Sequence, residues 1–166
     1  MVTIRQFRES DAEALWHLFF NTIHQVNVRD YTQQQLDAWA PSTRDLDGWK
    51  LKMMQINPFV AEKDGNVLGY ADLQPDGLID HFFCHHEYQG KGVGRLLMEK
   101  IFQQAKHQGI GVLYSNVSIT ARPFFERFGF RVKAEQRVKR HGQILINYRM
   151  EKSLASHLWL STISFL

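Results

Sequence analysis

The chain has 166 residues, 44% of them apolar, with a net charge of +3 at pH 7. That length suits one domain, and the apolar share supplies a core and excludes wholesale disorder. The mild charge suits an anionic small ligand but not nucleic acid, and a single cysteine, Cys84, leaves no internal disulfide and fits a reducing compartment. No run approaches the roughly 18 apolar residues of a membrane span, and the first residues lack the basic-then-apolar order of a signal peptide. The expectation is a cytoplasmic protein with no membrane or nucleic-acid partner.

Val2 and Ile4 alternate with polar neighbours and predict an opening strand over 2–8. Ser10 or Asp11 then caps a helix over about 11–26, where Leu15, Leu18, Phe19, Thr22, Ile23 and Val26 recur at helical spacing. Thr32 caps a short helix carrying Leu36, Trp39 and Ala40, which Pro41 ends. Leu46, Trp49, Leu51 and Met53 mark a third helix over 44–55. Phe59–Glu62 and Val67–Leu73 read as strands joined by the Asp64-Gly65 turn, and Pro75-Asp76-Gly77 turns into a third strand over 78–84.

A glycine-rich stretch, Gln89-Gly90-Lys91-Gly92-Val93-Gly94, follows that strand and opens a long helix from Val93 to about 107. Leu97, Met98, Ile101, Phe102 and Ala105 form its apolar face, and Gly109 stops it. Residues 112–117 predict a strand parallel to 78–84, because a helical crossover separates the two. Thr120 is expected to cap a short helix with Pro123 in its first turn. The helix ends at Gly129, placing Phe130 against Phe125. Residues 130–137 and 143–150 then pair across His141-Gly142. The reading is one α+β domain over 1–152, with a mixed, mostly antiparallel sheet and an apolar tail over 153–166. That tail packs on the domain or on a second copy, so the state is monomer or homodimer.

A glycine-rich loop before a helix lets backbone N–H groups surround an anion, and the helix dipole adds partial positive charge. A P-loop would need Ser or Thr after its lysine, yet Gly92 follows Lys91. A dinucleotide fingerprint needs G-x-G-x-x-G at the end of a strand and a later acidic residue, whereas the spacing here is G-x-G-x-G and the next strand ends near Asn116.

The stretch 89–94 instead resembles the Q/R-x-x-G-x-G/A signature of the GNAT acetyltransferase superfamily. The element order matches that family along nearly the whole chain. Phe124-Phe125-Glu126-Arg127-Phe128-Gly129-Phe130 is similar to its second landmark, and further segments resemble a bacterial subgroup. The resemblance implies the GNAT fold, with helices on both sheet faces and a splayed parallel strand pair. It implies acetyl-coenzyme A as cosubstrate and a primary amine, on a small molecule or a peptide, as acceptor.

Carried over by position, the loop amides of Gln89, Gly90, Lys91, Gly92, Val93 and Gly94 would hold the pyrophosphate, with charge from Lys91 or Arg95. Phe82, Phe83 and Cys84 would flank the pantetheine arm on one side, and Asn116 and Ser118 on the other. Phe125 stands where the family usually has a tyrosine acid, and Ser118 where many members have asparagine. Candidates for the vacant acid role are Tyr114, Ser118, Cys84 and water. The phenylalanine also keeps open a non-catalytic sensor that only binds acyl-coenzyme A.

Asp80 and His81 are the candidate catalytic bases, although successive strand residues face opposite ways. The helices over 11–55 would form the acceptor side, with His24, Tyr31 and Trp39 as contacts. His81 and His85 are too far apart along a strand, at roughly 6–7 Å per two residues, to share a metal, so none is expected.

Overall fold

The computed structural model describes residues 1–43 and 45–154. Two antiparallel sheets meet end to side. The first has the order β1 (Thr3–Gln6), β2 (Phe59–Lys63), β3 (Asn66–Ala71), β4 (Phe82–Cys84). The second has the order β5 (Val112–Ser118), β7 (Gln143–Ser153), β6 (Arg131–Arg140). A single parallel bridge between Leu78 and Tyr114 joins them, flanked by hydrogen bonds from Ile79 N–H to Tyr114 C=O and from Tyr114 N–H to Gly77 C=O.

The strand expected over 78–84 is therefore a true ladder only at Phe82–Cys84. Side-chain bonding takes over before it. Asp72 accepts from His81 N–H at 2.6 Å, and Ser115 Oγ donates to Ile79 C=O at 2.7 Å, which holds 78–81 out of regular pairing. Beyond Ile79 the two sheets diverge, which is the splayed parallel pair of the GNAT fold.

Residues of β2 and β3 alternate between two cores. Phe59, Ala61 and Ala71 pack on Val93, Leu97, Met98 and Ile101 of α4 (Val93–Gln108). Val60 and Tyr70 pack on the other face, against α1 (Ala12–Gln25), α2 (Gln33–Trp39) and α3 (Leu46–Ile56). Helix α2 begins in a capping box: Thr32 Oγ1 accepts from Gln35 N–H, and Gln35 Oε1 accepts from Thr32 N–H. Helix α3 is capped by Asp45, which accepts from Gly48 N–H.

Two details position the site. A Cβ at Gly69 would lie 3.1 Å from the Leu97 and Val93 side chains, so glycine there lets the start of α4 press onto β3 beside β4. The short helix α5 (Arg122–Arg127) ends at Gly129, and Phe130 meets Phe125 at a ring separation of 5.0 Å, as the spacing predicts. Its cap differs from expectation. Ser118 Oγ accepts from Ala121 N–H, whereas Thr120 Oγ1 is buried without a partner. Strands β6 and β7 run longer than predicted, and β7 pairs with β5 up to Ser153. The rest of the predicted tail, 155–166, lies outside the described residues.

Candidate active site

The site starts from two unpaired strand edges. Asp72 N–H donates to His81 C=O and His85 N–H donates to Leu68 C=O, so residues 81, 83 and 85 turn their backbone groups to β3. Alternation leaves Phe82 and Cys84 turning theirs to the opposite edge. On β5 the backbone of Tyr114 faces β4, so by the same alternation Asn116 and Ser118 face the gap. The carbonyl of Cys84 is taken by Thr22 Oγ1 at 2.9 Å and Gln89 Nε2 at 2.8 Å. The gap therefore has peptide donors and acceptors along both sides, where an extended, amide-bearing chain would complete the pairing.

At one end of the gap lies the glycine loop. Gly90 and Gly92 adopt φ of 70° and 86°, a region that costs other residues, and a Cβ at either would meet nothing within 4 Å. Leu96 N–H to Gly92 C=O is the first bond of α4, so the amides of Val93, Gly94 and Arg95 have no partner within the helix. Gln89 folds back onto the end of β4 instead of facing outward. Lys91 lies over the Tyr88 ring at 5.1 Å, and Arg95 over Phe128 at 5.3 Å. Gly94 is required by close approach, since its Cβ would sit 2.9 Å from the Phe124 ring. A cradle of free amides, helix dipole and two cations fits a pyrophosphate.

At the other end is a cleft of about 340 Å³. Phe19, Tyr31, Trp39 and Phe83 supply an aromatic wall, and Asn116, Gln136, Arg140 and Asn147 a polar one. Phe83 packs edge-on to Phe19 at 5.1 Å, while Phe82 faces the other way, 5.7 Å from Phe125. Tyr31 contributes only its ring: its hydroxyl donates to Ile146 C=O and accepts from Ile119 N–H. Trp39 also lines the cleft. His24 is placed elsewhere, with Nε2 2.8 Å from Ala40 C=O and its ring on Phe20, and it is not part of this lining.

Asp80 and His81 both border the cleft but differ in character. Asp80 lies at the mouth, exposed, with Oδ2 2.7 Å from Lys52 Nζ. His81 packs among Phe19, Trp49, Tyr70 and Phe83, and its Nδ1 is 3.1 Å from Tyr70 Oη. Burial lowers its pKa to about 4; the Asp80 carboxylate opposes this, while Lys52 and Arg140 add to it. It is a neutral imidazole at pH 7. The carboxylate that burial does tune is Asp72, fully buried and pushed up to about 6, with bonds from His81 N–H and Gln74 Nε2. Asp72 supports the cleft floor from behind and does not line it.

The candidate acids differ in what surrounds them. Burial pushes the Cys84 thiol up to about 12, and its Sγ lies beneath α4 near Gly94. Tyr114 Oη donates to Asp76 at the surface, and Ser118 Oγ accepts from Ala121 N–H and Asn27 Nδ2. Among the described residues no three His, Cys, Asp or Glu side chains gather as a metal site; His85 and His86 stack at 4.5 Å. No helix among them is long and apolar enough to cross a membrane.

The family model described as the acetyltransferase (GNAT) domain matches residues 27–152. The chain belongs to the GNAT family, and is an acyltransferase.

Among relatives it is similar to the uncharacterized N-acetyltransferase YafP of Escherichia coli K12, with 30% identity over 149 residues, 90% of this chain and 94% of that protein. Among solved structures it is similar to a GCN5-related N-acetyltransferase of Rhodopseudomonas palustris, with TM-score 0.87, 29% identity, and coverage of 92% of this chain and 95% of that one. It also shares its fold with yncA of Salmonella typhimurium, determined with its cofactor acetyl-coenzyme A. There the TM-score is 0.67 and the identity 22%, covering 93% of this chain and 94% of that one.

Proposed function

We propose that this enzyme is an N-acetyltransferase that moves the acetyl group from the thioester to a primary amine by direct attack, with both substrates bound at once. The observation that carries this is the gap between β4 and β5, which opens directly into the cleft bordered by Asp80. Nothing covalent on the protein is then needed, and the one cysteine is poorly placed to be acylated, since burial disfavours its thiolate.

In this reading the loop amides of residues 89–95 hold the pyrophosphate. The backbone of Phe82, Cys84, Asn116 and Ser118 flanks the pantetheine arm. The thioester carbonyl then lies beside the N–H of Phe82 or Cys84, which stabilises the oxyanion as the amine nitrogen bonds to carbon. Asp80 is the only carboxylate lining the cleft among the described residues, and it receives the amine proton, directly or through water. As the C–S bond breaks, the thiolate leaves and takes a proton from solvent, since Phe125 can donate none.

A thiol-release assay with acetyl-coenzyme A across a panel of amines, alongside calorimetric binding of the cosubstrate, tests the reading. Turnover on at least one amine with saturable cosubstrate binding is expected. Tight binding without turnover on any amine would favour an acyl-coenzyme A sensor, and absence of binding would overturn the site.

A further inference from the structure

One cation in the cleft has no part in the transfer chemistry. Arg140 is the last residue of β6 and pairs with Gln143 across a turn in which His141 and Gly142 adopt φ of 45° and 80°. The hairpin is tied down near that turn. Tyr31 Oη donates to Ile146 C=O at 2.5 Å, and Gln35 Nε2 donates to Ile144 C=O at 2.9 Å, so two points of the acceptor side grip β7. Arg140 lines the cleft with Asp80 and His81. Among the described residues its guanidinium has no hydrogen-bond, ion-pair or ring partner.

The other charges at the mouth cancel, because Asp80 and Lys52 are bound to each other. That leaves Arg140 as an uncompensated positive charge facing a cleft, and it is close enough to favour the neutral form of His81. The same wall offers further donors. Gln136 Nε2 is shared between Asn116 Oδ1 at 3.0 Å and Asn147 Oδ1 at 2.9 Å. With the carboxamides assigned in this sense, Asn147 keeps its Nδ2 hydrogens available on the same wall, further along the hairpin from Arg140. The facing wall is Phe19, Trp39 and Phe83.

We infer that the acceptor is an amine that also carries a carboxylate on an apolar frame, the carboxylate seated on Arg140 and the frame against the aromatic wall. This rests on the acetyltransferase reading and adds the substrate class to it. A planar guanidinium meets a carboxylate through two parallel N–H···O bonds, which fixes orientation as well as affinity. A polyamine, or a lysine flanked by other cations, would instead bring like charge to Arg140 and find the single carboxylate of the cleft already paired.

The test uses matched pairs that differ only in the carboxylate: phenylalanine against phenethylamine, and leucine against isoamylamine. The wild-type enzyme should acetylate the amino acids with the higher kcat/KM. Arg140→Gln should lower that value about tenfold or more for the amino acids, through KM, and leave the plain amines unchanged or improved, with acetyl-coenzyme A affinity unaltered. Arg140→Lys should recover part of the loss. Equal losses on both members of a pair, or a wild-type preference for the plain amines, would overturn the inference.

A second arm needs no turnover. With coenzyme A bound, calorimetry compares N-acetylphenylalanine with N-phenethylacetamide, and only the former should weaken, again about tenfold or more, in Arg140→Gln. Failure of this arm removes the carboxylate site even if amines are acetylated. Success here without any turnover would fault the acetyltransferase reading while keeping the site.

Discussion

The two ends of the active site are built from different material. The cosubstrate end is backbone: strand edges that face a gap, glycines in left-handed conformations, and the free amides at the start of α4. The acceptor end is side chain: an aromatic wall from α1, α2, the loop between them and β4, a polar wall from β5, β6 and β7, and charges at the mouth. A backbone site tolerates most substitutions and fails when chain conformation or local charge is altered. A side-chain site changes preference residue by residue. The first end is therefore suited to a ligand shared by a whole family, and the second to whatever acceptor this member handles.

Substitutions can break this contrast, and the largest effect is expected in the loop. Gly92→Asp forces an unfavourable φ and adds a negative charge to the cradle, yet its Cβ meets no neighbour. Acetyl-coenzyme A affinity should fall about 100-fold or more with the far-UV spectrum intact. Retained affinity would mean the cradle is elsewhere. At the acceptor end, Asp80→Asn should lower kcat by about 10²-fold, in the range of lost general-base catalysis, and leave cosubstrate affinity nearly untouched. Wild-type turnover would remove Asp80 from the reaction.

Asp72 behind the cleft and His81 in its lining should leave opposite marks on stability. The folded pKa of Asp72 is raised to about 6, so its contribution is present below about pH 4 and lost as pH rises through 6. The folded pKa of His81 is lowered to about 4, so its contribution is present above about pH 6.5 and lost as pH falls through 4. Each slope is worth about 3 kcal/mol, and over the same window they offset each other. In urea titrations, Asp72→Asn should become less stable on acidification from pH 6.5 to 4.5, and His81→Gln more stable. Slopes of the same sign in the two variants would exclude this pairing. The smallest effect is expected for Lys52→Met, which frees a half-exposed ion pair: less than about 1 kcal/mol in stability. Turnover should change by a few-fold at most, because Asp80 remains in place. A larger loss would give Lys52 a role with the acceptor.

The same contrast explains what the sequence makes legible. Loop, helix α4 and the α5 landmark are local features, each written in consecutive residues such as Gly90-Lys91-Gly92 or Phe128-Gly129-Phe130. The acceptor end depends on residues far apart in the chain. Nothing around Lys52 announces that it meets Asp80, and nothing around Arg140 places it in a cleft with Phe19. Tyr31 reads as an acceptor contact because it is an aromatic polar residue, but its hydroxyl is consumed by Ile146 and Ile119. The extent of the 78–84 strand was over-read for a similar reason. Its apolar run continues, yet the Asp72 carboxylate and the Ser115 hydroxyl take up the bonding there. Asp72 itself carries a visible signal, a lone acid in the run Tyr70-Ala71-Asp72-Leu73.

The splay also bears on which strand edges the fold leaves open. Unpaired strand edges recruit other chains, and this fold has to leave one open on β4. That edge is short, with only three residues in the strand, stopped at one end by the Leu78–Tyr114 bridge and at the other by the grip of Thr22 and Gln89 on Cys84. The long outer edge, on β6, carries Arg131, Lys133, Arg137, Lys139 and Arg140, which repel a second copy of themselves. The open edge on β4 is thus brief and the outer edge on β6 strongly charged, two features that disfavour edge-to-edge pairing.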